Sequence, residues 1–121
     1  MSEKDFIKNL IDYGNDLRGA EVYFRDDWEC YYFSLLGKCF GMLNDEIITL
    51  KGIPNENVIL REKYKSVIPG YYTNKKHWNS IILNDREFDE IQIKDFIFQS
   101  YELVYKGLTK KEKEIINEFP E

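Results

Sequence analysis

Glu29-Cys30-Tyr31-Tyr32-Phe33-Ser34-Leu35-Leu36-Gly37-Lys38-Cys39-Phe40-Gly41-Met42-Leu43-Asn44-Asp45-Glu46-Ile47-Ile48-Thr49-Leu50-Lys51 is the stretch whose reading decides the fold. Two short pairs, Gly37-Lys38 and Asn44-Asp45, separate three runs of strand length rich in aromatic and β-branched residues. Runs of this kind joined by polar or glycine-bearing pairs form tight hairpins, so the segment is read as an antiparallel meander. With Gly37-Lys38 at the turn centre, Cys39 opposes Leu36 and Cys30 opposes Asp45. The two thiols are then far out of register, and a disulfide needs Cα atoms within about 7 Å, so no bridge is expected. The same register puts Phe33, Leu35, Phe40, Met42 and Ile47 on one face and Tyr32, Leu36, Cys39, Leu43, Ile48 and Leu50 on the other. Both faces are apolar, so alternation does not choose which one the helices cover.

Working outward, Ser2 to about Asn15 reads as a helix, with Ser2 and Asp5 at capping-box spacing and Phe6, Ile7, Leu10, Ile11 and Leu17 on one apolar face. Gly14-Asn15 is the expected stop, and Val22-Tyr23-Phe24 a short strand. Beyond the meander, Pro54 or Asn55 opens a short helix to about Tyr64, with Leu60 and Tyr64 on a shared face. Ser66 to Lys76 is loop-like around Pro69-Gly70, and His77 to Leu83 is a returning strand. Asn84-Asp85-Arg86 turns the chain into a long helix from Asp89 or Glu90, striped by Ile93, Phe96, Ile97, Ser100, Tyr101 and Val104 and stopped by Gly107. Thr109 with Glu112 caps a last helix carrying Ile115, Ile116 and Phe119. The expected order is α–β-meander–α–β–α–α: one α+β domain over residues 1–121, a single antiparallel sheet with helices packed on it.

Composition bounds the function classes. A chain of 121 residues with 43% apolar and 32% charged residues can bury one core without metal or disulfide staples. No apolar run approaches the length of a membrane span, and Met1-Ser2-Glu3-Lys4-Asp5 lacks the basic-then-apolar order of a signal peptide. A cytoplasmic protein with reduced Cys30 and Cys39, no membrane contact, no cofactor and a monomeric state is therefore expected.

A net charge of −5 argues against binding a polyanion through the overall field. The charge is uneven, however. Residues 51–77 hold six basic residues (Lys51, Arg61, Lys63, Lys65, Lys75, Lys76) against Glu56 and Glu62, a local +4 that leaves −9 for the remainder. Tyr64, Tyr71, Tyr72, His77 and Trp78 lie among them. Cations interleaved with flat rings suit phosphate neutralisation plus stacking, although a lysine-rich helix face is more often merely solvated.

Catalytic patterns are lacking. His77, the one histidine, has no identifiable nucleophile or orienting partner in sequence and reads as a residue that fixes the loop before a strand. No metal-ligand spacing accompanies it or the cysteines. Trp78 reads as a core anchor and Cys39 as a small hydrophobe. Adjacent Asp26-Asp27 would point to opposite sides of an extended chain and form no acid–base pair.

Pro69-Gly70-Tyr71-Tyr72-Thr73-Asn74-Lys75-Lys76-His77-Trp78-Asn79-Ser80 resembles the Pro-Gly-Tyr-x-x-Asn-Lys-x-His-Trp signature of the MmcQ/YjbR family. Ser100-Tyr101-Glu102-Leu103-Val104 is similar to its Ser-Tyr-x-Leu-Val helix motif. Leu50-Lys51 before the proline-initiated helix and the Gly-Lys hairpin followed by Phe40 match as well, and the likeness runs from about Phe6 to Leu108. Position 72 is Tyr where many relatives carry His, which sets aside any role resting on a second histidine. The resemblance implies a CyaY-like (frataxin-like), double-wing α+β sandwich and a non-enzymatic DNA-binding protein, with DNA as the partner. Iron handling, which the frataxin likeness suggests, is not carried over, because the acidic residues show no ligand spacing.

On that reading Lys51, Arg61, Lys63, Lys65, Lys75 and Lys76 contact phosphates, with wings at the hairpin turns or the basic loop. The alternative is a protein- or small-ligand-binding interaction domain, with Tyr71, Tyr72 and His77 over a pocket beside Tyr101. In either case Asn74, Lys75, His77, Trp78, Ser100 and Tyr101 are expected to form one buried polar network joining loop, strand and long helix.

Overall fold

The computed structural model describes residues 3–70 and 74–120. Helix α1 (Glu3–Asp16) precedes four strands in meander order, β1 (Ala20–Arg25), β2 (Cys30–Leu35), β3 (Lys38–Leu43) and β4 (Ile47–Lys51). Helix α2 (Pro54–Lys63), β5 (Val67–Pro69), β6 (Trp78–Ile82), α3 (Glu90–Lys106) and α4 (Lys110–Asn117) follow. The strands form one antiparallel sheet in the order β1-β2-β3-β4-β6-β5. Helices α1 and α3 lie on β1–β4 and α2 lies on β5 and β6, so the α+β reading holds. Two additions extend it. The first strand is twice the expected length, and Val67–Pro69, expected as loop, pairs with β6 as a short edge strand. Proline at its end suits an edge, where an N–H is not needed for a further ladder.

Local chemistry explains the helix ends. Asp89 and Thr109 each accept a bond from the backbone N–H three residues on, and Gln92 and Glu112 reciprocate, so both late helices start in capping boxes. Pro54 opens α2 with its fixed φ. The capping residue expected for α1, Ser2, lies outside the described residues. Gly14 does not stop α1, which runs on to Asp16. Its lack of a side chain serves packing instead, since a Cβ there would lie 2.5 Å from the Phe33 ring. The C-terminal end of α1 also blunts the sheet edge: Ala20 N donates to Leu17 O at 2.9 Å and Val22 N to Asn15 Oδ1 at 2.8 Å.

The expected register needs correcting at two places. The β2–β3 turn is centred on Leu36-Gly37, one residue earlier than read, with φ of 50° and 79°. Left-handed geometry at both central residues is what a two-residue hairpin of matching twist requires, and glycine supplies half of it without strain. A β-bulge then follows. Ser34 opposes Cys39 but Phe33 opposes Gly41, so Phe40 is the extra residue. Because side chains alternate with period two, one inserted residue reverses every later assignment. Leu43, Ile48 and Leu50 therefore join Phe33, Leu35 and Phe40 in the core under the helices. Met42 and Ile47, read on the same face as Phe33, Leu35 and Phe40, fall instead with Tyr32 and Cys39 on the opposite face.

The core is continuous from Phe6 and Leu10 of α1 through those strand residues to Ile93, Ile97, Tyr101 and Val104 of α3 and Ile116 of α4. Edge-to-face contacts chain Phe33 to Phe40 (5.7 Å) and Phe40 to Tyr101 (5.6 Å). Among the described residues no helix is long and apolar enough to cross a membrane.

Candidate functional site

The signature residues divide into two separate arrangements. The first is on α3. Pairing of β3 with β4 stops at Gly41 and Leu50, where the next opposed pair would be Phe40 and Lys51. The fully buried Ser100 hydroxyl sits in that gap, donating to Phe40 O at 2.5 Å and accepting from Lys51 N at 2.9 Å. The bulge has left two ladder groups apart, and one side chain satisfies both. Beside it the Tyr101 hydroxyl donates to Arg18 O at 2.6 Å, and burial raises the Tyr101 phenol above its usual range. The Ser-Tyr motif thus stitches α3 to the bulge and to the α1–β1 connection.

The second arrangement binds the 74–77 turn to α2. Asn74 closes the turn through its own groups, with Lys76 N on its Oδ1 at 2.9 Å and His77 N and Trp78 N on its carbonyl at 3.2 and 3.0 Å. From α2, Asn57 Nδ2 donates to Lys76 O at 3.3 Å and the Arg61 guanidinium to Lys75 O at 3.2 Å and Asn79 Oδ1 at 2.7 Å. Asn79 Nδ2 returns a bond to Asn57 O at 3.2 Å. His77 contributes its backbone, its carbonyl accepting from Gly52 N at 2.9 Å.

The single network expected from sequence is thus corrected to two. Asn74, Lys75 and Lys76 are exposed, Ser100 and Tyr101 are buried one strand away, and the groups meet through backbone contacts alongside β4, the Lys51–Trp78 pairing and the Gly52 N to His77 O bond. Tyr101 turns toward Phe40 and Arg18, not toward His77. Trp78 is not the core anchor expected. Asn79 and Ile81 occupy the helix side of β6, which leaves Trp78 half-buried on the other face with Lys51. Tyr71 and Tyr72 of the proposed pocket lie outside the described residues.

Of the six candidate phosphate contacts, Lys75 and Lys76 are exposed on the pinned turn, and Lys51 is half-buried at the adjoining end of β4. Arg61 stands behind them, engaged with the turn it supports. Lys63 and Lys65 lie apart. The Lys63 ammonium is over the Tyr64 ring at 5.4 Å. Lys65 leads into β5 near Glu87, whose carboxyl is held below its usual range chiefly by hydrogen bonds from the Ser66 hydroxyl (2.5 Å) and backbone N–H (2.9 Å), with the Lys65 charge adding to them. Among the described residues none of the six cations is ion-paired with a carboxylate. No group of three His, Cys, Asp or Glu gathers to hold a metal among the described residues either.

Sequence reasoning passed over Asn57, Asn79 and Trp28. Asn57 is the one buried residue of α2, and it lies three residues before Leu60 on the face already marked by Leu60 and Tyr64. Asn79 alternates with Ile81 on the inner side of β6. A polar residue in an apolar phase was the available signal in both cases. Trp28 stands half exposed in a turn of acids, Asp26-Asp27-Trp28-Glu29.

Comparison with known proteins agrees with the fold. The sequence model of the YjbR family matches residues 16–103. The chain is 37% identical over 86 residues to the uncharacterized protein YbdF of Escherichia coli O157:H7, covering 67% of this chain and 69% of that one. It is 25% identical over 114 residues to the uncharacterized protein YjbR of Escherichia coli K12, covering 91% and 96%. Among solved structures it is similar to Deinococcus radiodurans protein DR2400, a DUF419 domain, with a TM-score of 0.80 and 27% identity over 94% of this chain and 88% of that one. A Pseudomonas syringae protein shares the fold at a TM-score of 0.63 and 24% identity, covering 85% and 98%.

Proposed function

The chain belongs to the YjbR family, and on that premise we propose that it is a small non-catalytic DNA-binding domain of double-wing type, working in the cytoplasm. Its contacts are to phosphates, made by Lys75 and Lys76 with Lys51 beside them, while Arg61 fixes the turn that carries the two exposed lysines. Lys63 and Lys65, which lie apart from the turn, add long-range attraction only. The observation that supports this reading most is the pinned 74–77 turn. Its backbone is tied to α2 at two carbonyls, its two lysines are exposed, and among the described residues no carboxylate pairs with either. A preordered cationic turn loses little entropy when it grips a phosphate. The acids lie chiefly elsewhere and would turn a polyanion toward this end of the sheet.

Such a mode gives weak, sequence-tolerant and salt-sensitive binding. Fluorescence anisotropy of labelled duplex and single-stranded DNA across a salt series tests it. Expected dissociation constants are in the non-specific range, about 10⁻⁴–10⁻⁶ M, with affinity falling steeply as salt rises. Lys75→Glu with Lys76→Glu should abolish binding at low salt, and Lys75→Ala alone should reduce the logarithmic salt slope by about one. Unchanged affinity in the double reversal, or no binding at low salt, would refute the reading.

A further inference from the structure

Among the described residues, the helices pack on one side of the sheet. On the other side a row of residues crosses the strands: Tyr23, Tyr32, Met42, Thr49, Ser80 and Ile68, paired through the observed registers. At the end of this face remote from Lys51 and Lys75, where the β1–β2 and β3–β4 turns meet, lies a groove of about 430 Å³. Its floor and walls include Trp28, Cys30, Met42, Ile47 and Thr49, with Glu46 at the rim. Cys30 and Met42 are buried yet stand outside the main core. A second hollow of about 580 Å³, lined by Asp26, Asp27, Trp28 and Glu29, adjoins the first at the indole.

The charges left unpaired along this track have one sign. The Asn44 Oδ1 is taken up by its own turn, accepting from Glu46 N and Ile47 N at 2.8 Å each. The Thr49 hydroxyl is paired with Ser80 at 2.7 Å. Arg25 is tied to Asp27 at 2.7 Å and lies over the Trp28 ring at 5.4 Å and the Tyr32 ring at 5.0 Å, which holds the exposed indole in place. What remains free is carboxylate: Asp26, Glu29 and Glu46, with Asp45 next to them. The unpaired charges here are all negative, so a cation beside an apolar group finds both of its partners and an anion meets like charge.

We infer that this track is a docking site for a basic, apolar segment of another protein, bound in extended form along the Trp28 groove. Aliphatic side chains enter the floor between Trp28 and Ile47, and lysine or arginine residues on either side meet the acids. Two hollows separated by one ring suit a segment of several residues, since an extended chain advances about 3.3 Å per residue. The site is independent of the phosphate-binding reading and lies at the opposite end of β4.

The test is anisotropy of a fluorescein-labelled peptide of alternating Arg or Lys and Leu, six to eight residues long, beside the same peptide with Glu in place of each cation. The basic peptide should bind and the acidic one should not. Glu46→Lys combined with Asp26→Lys, both on exposed turns, should weaken binding by about tenfold or more, as should Trp28→Ala. Lys75→Glu with Lys76→Glu should leave it unchanged, which separates this site from the DNA reading. No binding at low salt, equal binding by the rim-reversed protein, or equal occupancy by free arginine would overturn the inference. So would a dimer in sedimentation that Trp28→Ala dissolves, since a second copy would then be the occupant.

Discussion

Helices α2 and α3 both lie on the same face of the sheet, yet they are held in opposite ways. Helix α3 buries Ile93, Ile97, Tyr101 and Val104 along one stripe, with a single polar residue, Ser100, inside it. Helix α2 buries Asn57 alone and leaves Val58 and Ile59 largely exposed. One is seated by area removed from water, which needs only the correct period. The other is seated by hydrogen bonds to partners some twenty residues downstream, which need a particular loop in a particular place. The apolar seat stabilises the domain, and the polar seat holds the exposed lysines of the 74–77 turn in position.

Substitution in the two seats should separate these roles. Ile97→Ala, at a fully buried position, should cost about 2–5 kcal/mol in urea unfolding, with no change confined to the turn. Asn57→Ala should cost only about 1 kcal/mol while sharply increasing amide exchange over residues 74–77. A comparable loss of global stability in both would erase the contrast.

Ser100→Ala sharpens it within α3 itself. Removing the hydroxyl strands Phe40 O and Lys51 N, so a loss of about 1–3 kcal/mol is expected, larger than for any exposed serine-to-alanine change. If the measured loss is near zero, the two backbone groups close directly on each other and the hydroxyl is no surrogate for the ladder.

The smallest effect is in acid. Glu87 on the α2 side and Glu90 on the α3 side are both held below the usual carboxylate range, the first chiefly by Ser66 and the second chiefly by Asn9. A depressed carboxyl contributes its stability fully above the unfolded value, near 4.5, and loses it as pH falls through the folded one. Stability should therefore decline below about pH 4.5, and the decline should be shallower in Glu87→Gln and in Glu90→Gln. A parallel curve for either variant would remove that residue from the account.

The Ser-Tyr motif and the long helix were legible because a helix repeats every 3.6 residues whatever it packs against. The faces of the meander were not, beyond Phe40. Turn residues and alternation gave three strands in order, but a bulge is one residue gained against a partner strand, and it is defined only by the pair. The same limit explains the site. Asn57, Arg61 and Asn79 are ordinary polar residues until α2, β6 and the turn come together. Trp28 is one aromatic among acids until Met42 and Ile47 form a floor beside it.

The order of the helices and of every strand but β5, the start of the long helix at Asp89 or Glu90, the capping box at Thr109, and the concentration of cations between residues 51 and 77 were determined by the sequence alone. Each depends on neighbours a few positions apart along the chain. Only the tertiary structure decided which sheet face is covered, that Ser100 completes the β3–β4 ladder, that Lys75 and Lys76 part company from Lys63 and Lys65, and that acids converge on an apolar groove at the far end. Those outcomes depend on pleat parity carried across strands and on contacts between distant segments, which have no expression until the chain has folded.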